Sequence, residues 1–143
     1  MNKKNAITLV LLLLLSLGVN AQKWDELSKT PQMGWSSWNK FQGNIDEDII
    51  KSIADAMVSS GLRDAGYIYV NIDDCWHGKR DSNGFIQTDP KHFPHGIKAL
   101  ADYIHARGLK LGIYSDAGSE TCAGRPGSLG HEYPDALQYA RWD

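Results

Sequence analysis

Two adjacent carboxylates, Asp73 and Asp74, end a run of strand formers, Tyr69-Val70-Asn71-Ile72, and lead into Cys75 and Trp76. Apolar side chains hold such a strand in a core, so the acids are delivered at its end, where pockets sit. Neighbouring carboxylates repel, and a fold tolerates them most easily where water, a metal or a hydroxyl-rich ligand satisfies both. As nucleophile and general acid they would need carboxyls about 5 to 5.5 Å apart across a glycosidic bond. Neighbours at a strand end diverge, which disfavours that chemistry. As acceptors for the vicinal hydroxyls of a sugar they fit better, since each ionised carboxylate can take two hydroxyl donors. The spacing is not that of a calcium loop and no histidine cluster supports zinc, so no metal and no cofactor is expected. A helix cap or a solvated turn is the plain structural alternative.

Other residues could share such a site. Trp35 and Trp38 follow the first expected strand, and an indole face packs on the C–H face of a sugar while its N–H reaches a hydroxyl. Either could equally plug the end of the sheet. Tyr114 ends the third expected strand, at the level of Asp73, where its hydroxyl could order a neighbouring carboxylate or cap the core. Asp116, just beyond, could instead satisfy loop amides. The five histidines (77, 92, 95, 105 and 131) are scattered, no Gly-x-Ser-x-Gly occurs, and none is assigned a role.

The elements that must position these residues follow from periodicity. Residues 33–41 read as a short strand running into an aromatic loop. Asn44 and Glu47 have capping-box spacing, ahead of helical recurrence at Ile49, Ile50, Ile53, Ala56 and Met57, with Gly61 as the stop. Tyr67 to Ile72 is the second strand, apolar or aromatic on both faces. A long loop runs from Cys75 to His95, with a turn signal at Asp81-Ser82-Asn83-Gly84. Ile97, Leu100, Ala101 and Ile104 mark a second helix ended by Gly108. Leu109 to Tyr114 is the third strand, and a last helix begins near Pro134-Asp135. Three strand-then-helix units imply parallel strands with right-handed crossovers. Long loops after the strands and short turns after the helices are the pattern of a (β/α)8 TIM barrel, an α/β fold with sites at the strands' C-terminal ends. A doubly wound sheet is the alternative, but no Gly-x-Gly-x-x-Gly turn follows the first strand. A whole barrel takes about 250 residues, so only about the first three β/α units are expected here.

Residues 1–21 read as a signal peptide: Lys3 and Lys4, an apolar stretch from Ile7 to Val19, and small residues before a cut after Ala21. That stretch is shorter than the roughly 20 residues of a span. Export to the periplasm or the extracellular space is expected, with residues 22–143 as the mature chain and no membrane span within it. Losing two lysines takes the formal charge from −2 to about −4. With no basic stripe or arginine cluster, nucleic acid and anionic membrane are excluded as partners. Five tryptophans and six tyrosines suit carbohydrate handling. In an oxidising compartment, Cys75 and Cys122 invite a single disulfide as the simple reading.

Assembled, the chain resembles glycoside hydrolase family 27, the α-galactosidases (melibiases) and α-N-acetylgalactosaminidases. The resemblance rests on Thr30-Pro31-Gln32-Met33-Gly34-Trp35 with Trp38, on Gly66-Tyr67 through Ile72-Asp73-Asp74-Cys75-Trp76, and on Phe93-Pro94-His95-Gly96-Ile97. It continues through Gly108-Leu109-Lys110-Leu111-Gly112-Ile113-Tyr114 and Thr121-Cys122-Ala123-Gly124 before Pro126-Gly127-Ser128. It implies a secreted retaining glycosidase that removes terminal α-D-galactose from oligosaccharides or glycoconjugates. By the same resemblance Trp38 walls the galactose pocket, Asp73 and Asp74 grip the hydroxyls at carbons 4 and 6, Tyr114 neighbours the nucleophile, and Cys122 lines the pocket.

The family's two catalytic aspartates have no counterpart among these residues. The resemblance puts the nucleophile in a Lys-Tyr-Asp-x-Cys-like strand expected after Asp143, so the 143-residue chain alone is expected to be inactive. It also implies that both cysteines are unpaired. The partner of Cys122 follows the nucleophile, and the usual partner of Cys75 falls where Gly43 stands. Related α-N-acetylgalactosaminidase activity is the alternative within the family, and a non-catalytic galactose-binding module is the alternative outside it.

Overall fold

The computed structural model describes residues 29–143, so the expected signal peptide, residues 1–21, lies outside the described residues. The chain divides into two units, Met1–Pro31 and Gln32–Asp143, and every element below belongs to the second.

Three parallel strands form the main sheet in the order β1 (Gly34–Ser36), β2 (Tyr69–Ile72), β5 (Lys110–Ile113), with Gly34 opposite Tyr69 and Tyr69 opposite Lys110. Gly34 is required: a β-carbon there would lie 2.2 Å from the Tyr69 carbonyl oxygen. After β1 the chain makes the single turn α1 (Trp38–Phe41) and then α2 (Glu47–Ser59), the crossover to β2. The crossover to β5 is α3 (Gly96–His105), and α4 (Glu132–Trp142) follows β5. The expected order of three strand-then-helix units is present as a partial sheet.

Strand alternation decides which side chains go inward. Val70 and Ile72 are buried against Ile50 and Met57 of α2 and Ile97, Leu100 and Ile104 of α3. The other face, carrying Tyr69 and Asn71, is only half-buried, so β2 is not covered on both sides among the described residues. Lys110 lies over the Tyr69 ring there, 5.5 Å from its centroid.

Two local readings change. Asn44 does not cap α2. The N-cap is Asp46, whose carboxylate accepts the Ile49 N–H at 2.7 Å. With the cap two residues later, Glu47 is too close to it for a capping box and turns to His95 instead. It accepts the His95 backbone N–H at 3.2 Å and meets His95 Nδ1 at 2.6 Å and Lys51 Nζ at 3.2 Å, fastening the start of α2 to the start of α3. Burial opposes the Glu47 charge, but these bonds outweigh it and hold the carboxyl below its usual range. Gly61, by contrast, takes the expected left-handed stop, at φ +81°.

The long segment from Cys75 to His95 is not simple loop. It holds an antiparallel hairpin, β3 (His77–Arg80) and β4 (Ile86–Thr88), around the expected turn. Asp81 builds that turn by accepting the Asn83 and Phe85 N–H groups. Arg80 then pins the hairpin to α4: it forks onto the Asp135 carboxylate, with Nη2 2.8 Å from Oδ2, and donates to the Gly127 and Gly84 carbonyls. Such planar pairs fix orientation as well as energy. Among the described residues no helix is long and apolar enough to cross a membrane.

Candidate functional site

The C-terminal ends of β1, β2 and β5 meet in one cluster. Ser37, one residue past β1, is fully buried, and its hydroxyl accepts the Asp73 backbone N–H at 2.9 Å. Tyr114, one residue past β5, donates its N–H to the Ile72 carbonyl, which sets it level with Asp73 as its register required. The two acids therefore sit between flanking strand ends rather than in a free turn.

Their environments differ. Asp73 is half-buried, and one of its oxygens accepts the Asp74 N–H at 2.8 Å, leaving the other without a hydrogen-bond partner among the described residues. Asp74 is 1 % exposed and heavily committed. Its Oδ1 accepts the Cys75 N–H at 2.7 Å and the Thr121 hydroxyl at 3.0 Å, while Oδ2 accepts the Ala123 N–H at 3.0 Å. An ionised carboxylate has about four acceptor positions, so Asp74 keeps about one for a ligand, on Oδ2. The sequence reading treated the pair as equivalent acceptors. Their geometry makes Asp73 the open one and Asp74 the one that also clamps a loop.

That clamp places Cys122. Thr121 and Ala123 both bind Asp74, and Thr121 Oγ1 also accepts the Arg125 N–H at 3.0 Å, so the exposed Cys122 is presented from a fixed turn. Burial first, then the neighbouring Cys122 and the carboxylates of Asp116 and Asp74, push Tyr114 up to about 12, so it is a neutral hydroxyl at pH 7. Asp116 satisfies a loop amide, accepting the Gly118 N–H at 2.6 Å.

Both cysteines are free thiols, against the single disulfide and in line with the resemblance. Cys75 is buried with φ +76°, a left-handed conformation that costs a non-glycine residue about 1 kcal/mol. The strain reverses the chain immediately after the acid pair, and backbone strain of this kind clusters at functional sites. A β-carbon at Gly43 would lie 3.0 Å from Cys75 Sγ.

Asp73, Asp74, Tyr114 and Cys122 are thus brought together. Trp38 begins α1 directly after Ser37, half-buried, so the hydroxyl that holds Asp73 also ties its segment to the cluster. Trp35 is partly buried against the core, edge-on to Phe41 at 6.1 Å. Trp76 is fully buried, donating its indole N–H to the Tyr114 carbonyl at 2.8 Å. Sequence reasoning assigned no individual role to Ser37, Thr121 or His77. Ser37 and Thr121 act through partners 36 and 47 residues away, which no local spacing reveals. Among the described residues no three His, Cys, Asp or Glu side chains group to hold a metal ion.

The family model described as Alpha galactosidase A matches residues 30–143. The chain belongs to this family. Alpha-galactosidase A of Cellvibrio japonicus is 69% identical over 134 residues, covering 94% of this chain and 33% of that protein. Among solved structures, alpha-galactosidase I from Mortierella vinacea superposes with a TM-score of 0.82 at 52% identity, covering 84% of this chain and 30% of that one. The Saccharomyces cerevisiae α-galactosidase with raffinose superposes at 0.80 with 46% identity, covering 81% and 26%. The chain of this melibiase-family member therefore spans about a third of the length of the curated relatives it matches.

Proposed function

We propose that this chain supplies the sugar-selecting part of a retaining α-galactosidase that releases terminal α-D-galactose from oligosaccharides or glycoconjugates. The observation that carries the reading is the acid pair at the end of β2, flanked by Tyr114 and Cys122. Half-buried Asp73 offers a carboxylate oxygen without a partner among the described residues, and Asp74 offers one remaining acceptor position beside it. Two acceptors side by side suit neighbouring hydroxyl donors. An axial hydroxyl at carbon 4 distinguishes galactose from glucose, so a grip on carbons 4 and 6 sets the preference.

The three parallel strands are, in this proposal, the opening part of an eight-stranded β/α barrel. Its acid–base groups come from later strands, and the acids described here choose the sugar rather than cut it. Trp38 walls the pocket and Tyr114 orders the nucleophile's surroundings. Export, with residues 1–21 as the leader and 22–143 as the start of the mature barrel, belongs to the same proposal.

The test is hydrolysis of nitrophenyl α-D-galactoside and α-D-glucoside by the full gene product. The galactoside is cleaved and the glucoside is not. Asp73→Asn removes charge-assisted bonds and lowers kcat/KM by about 10- to 150-fold. Equal cleavage of both glycosides, or an Asp73→Asn protein with unchanged kcat/KM, would refute the assignment.

A further inference from the structure

His77 is the least explained side chain near the acid pair. It is 1 % exposed, and both ring nitrogens are buried without a hydrogen-bond partner among the described residues. Buried polar atoms are almost always satisfied, so an orphaned imidazole invites a functional account. The ring stacks on Trp76, centroids 3.9 Å apart at 25°, and meets the Tyr114 ring edge-on at 6.3 Å. Asp74 Oδ1 lies 3.7 Å from Nδ1. That is too long for a hydrogen bond and within about 1 Å of one.

We propose that His77 is a positioning residue for the sugar-gripping carboxylates: its Nδ1–H faces Asp74 Oδ1 and orients that carboxylate so that Oδ2 is left to the ligand. The inference rests on the galactose-binding reading above and deepens it. Burial, outweighing the attraction of Asp74, brings the His77 pKa down to about 4, so the ring is neutral at pH 7 and holds one proton. A lone pair on Nδ1 would repel the carboxylate, whereas an N–H attracts it, so the proton belongs on Nδ1. Oδ1 then takes the Cys75 N–H and the Thr121 hydroxyl, with the imidazole N–H facing it from 3.7 Å. Oδ2 has only the Ala123 N–H. The two oxygens are divided, one for the fold and one for the sugar. When a ligand hydroxyl pulls on Oδ2, a donor behind Oδ1 resists rotation of the carboxylate.

Two other roles fail on geometry. No metal cluster forms around His77 among the described residues. The cleft of about 730 Å³ beside it, bounded by Lys79, Thr88 and Arg125, meets ring nitrogens that are sealed from solvent.

Two substitutions in the full gene product separate positioning from packing. His77→Phe keeps the stack on Trp76 and removes the donor. His77→Asn keeps a donor near the Nδ1 position and sacrifices the stack. Positioning predicts that Phe weakens galactose binding about tenfold with an unchanged or higher Tm, while Asn stays within about threefold of wild type despite a lower Tm. Packing alone predicts the opposite order of affinities, and that order would overturn the inference. Nitrogen NMR supplies a readout independent of sugar: the neutral Nδ1–H tautomer is expected at pH 7, with a shift on Asp74→Asn. An Nε2–H tautomer, or no response to Asp74→Asn, would overturn it even if the protein proved not to bind galactose. Absence of galactose binding with the NMR link intact would instead count against the functional reading alone.

Discussion

Replacing Gly43 by cysteine creates a disulfide to Cys75. A β-carbon built at Gly43 lies 3.0 Å from Cys75 Sγ and 3.8 Å from Cys75 Cβ, and among the described residues beyond its chain neighbours nothing else comes within 4 Å. Across a disulfide of normal bond length, the distance from one β-carbon to the opposite sulfur is also about 3.0 Å, so the existing rotamer of Cys75 already points along the bond. Gly43 is not among the glycines with positive φ, so a cysteine there meets no left-handed penalty. The link closes a loop of about 33 residues, for which chain entropy gives about 3.7 kcal/mol of stabilisation. Native strain lowers such gains, and about 2–4 kcal/mol is expected. For a unit of this size that raises Tm by on the order of 10 °C. The reduced variant gains nothing, because the same 3.0 Å is a tight non-bonded contact. The assay compares one protein in two states: intact mass with thiol counting after mild oxidation, then thermal unfolding with and without reductant. Failure to lose the Cys75 thiol, or an oxidised form melting no higher than the reduced one, would refute the placement of residues 43 and 75.

The unequal acids predict unequal variants. Asp73→Asn leaves the unfolding free energy within about 0.5 kcal/mol of wild type, whereas Asp74→Asn turns an amide donor toward existing donors and costs about 2–4 kcal/mol, read by urea titration. Thr121→Val removes a donor to Asp74 and an acceptor for the Arg125 N–H, costing about 1–3 kcal/mol, while Thr121→Ser retains most of both. His77 stays neutral to about pH 4 when folded but takes a proton near 6.5 when unfolded. The unfolded chain therefore binds more protons between those values, and stability rises with pH across that window by up to about 3 kcal/mol. Urea midpoints at pH 4.5 and 7 should show that rise, and a His77→Phe protein with the same slope would contradict it. Gly34→Ala drives a β-carbon to 2.2 Å from the Tyr69 carbonyl, a backbone clash costing about 3 kcal/mol or more, seen as loss of a cooperative thermal transition.

Much of the scaffold was legible because its signals are local. The isoleucines and Met57 of α2 repeat at helical spacing, and the fully buried stripe of that helix includes Ile50, Ala54 and Met57. Gly61 and Gly108 end their helices with positive φ, as only glycine does cheaply. The site's elements were legible as types: acids, a tyrosine and a cysteine after strands. Their division of labour was not. Asp74 is buried because Thr121 and Ala123 reach it from 47 and 49 residues away. Glu47 looked like a capping residue because its true partner, His95, lies 48 residues on. The hairpin within residues 75–95 escaped notice because its strands are only four and three residues long and one is polar. Its anchor, Asp135, is 55 residues from Arg80.

The clamp of Thr121 and Ala123 on Asp74 also fixes an order in time. During synthesis at about 5–20 residues per second, the 47 residues separating Asp74 from Thr121 delay their meeting by about 2–10 s. Throughout that interval the carboxylate of Asp74 is hydrated and the Cys75 thiol is open to oxidants. The strand carrying the acids is made early, yet the acids acquire their final character only when a much later turn arrives. A nascent chain paused before residue 121 therefore has the pair but not its asymmetry.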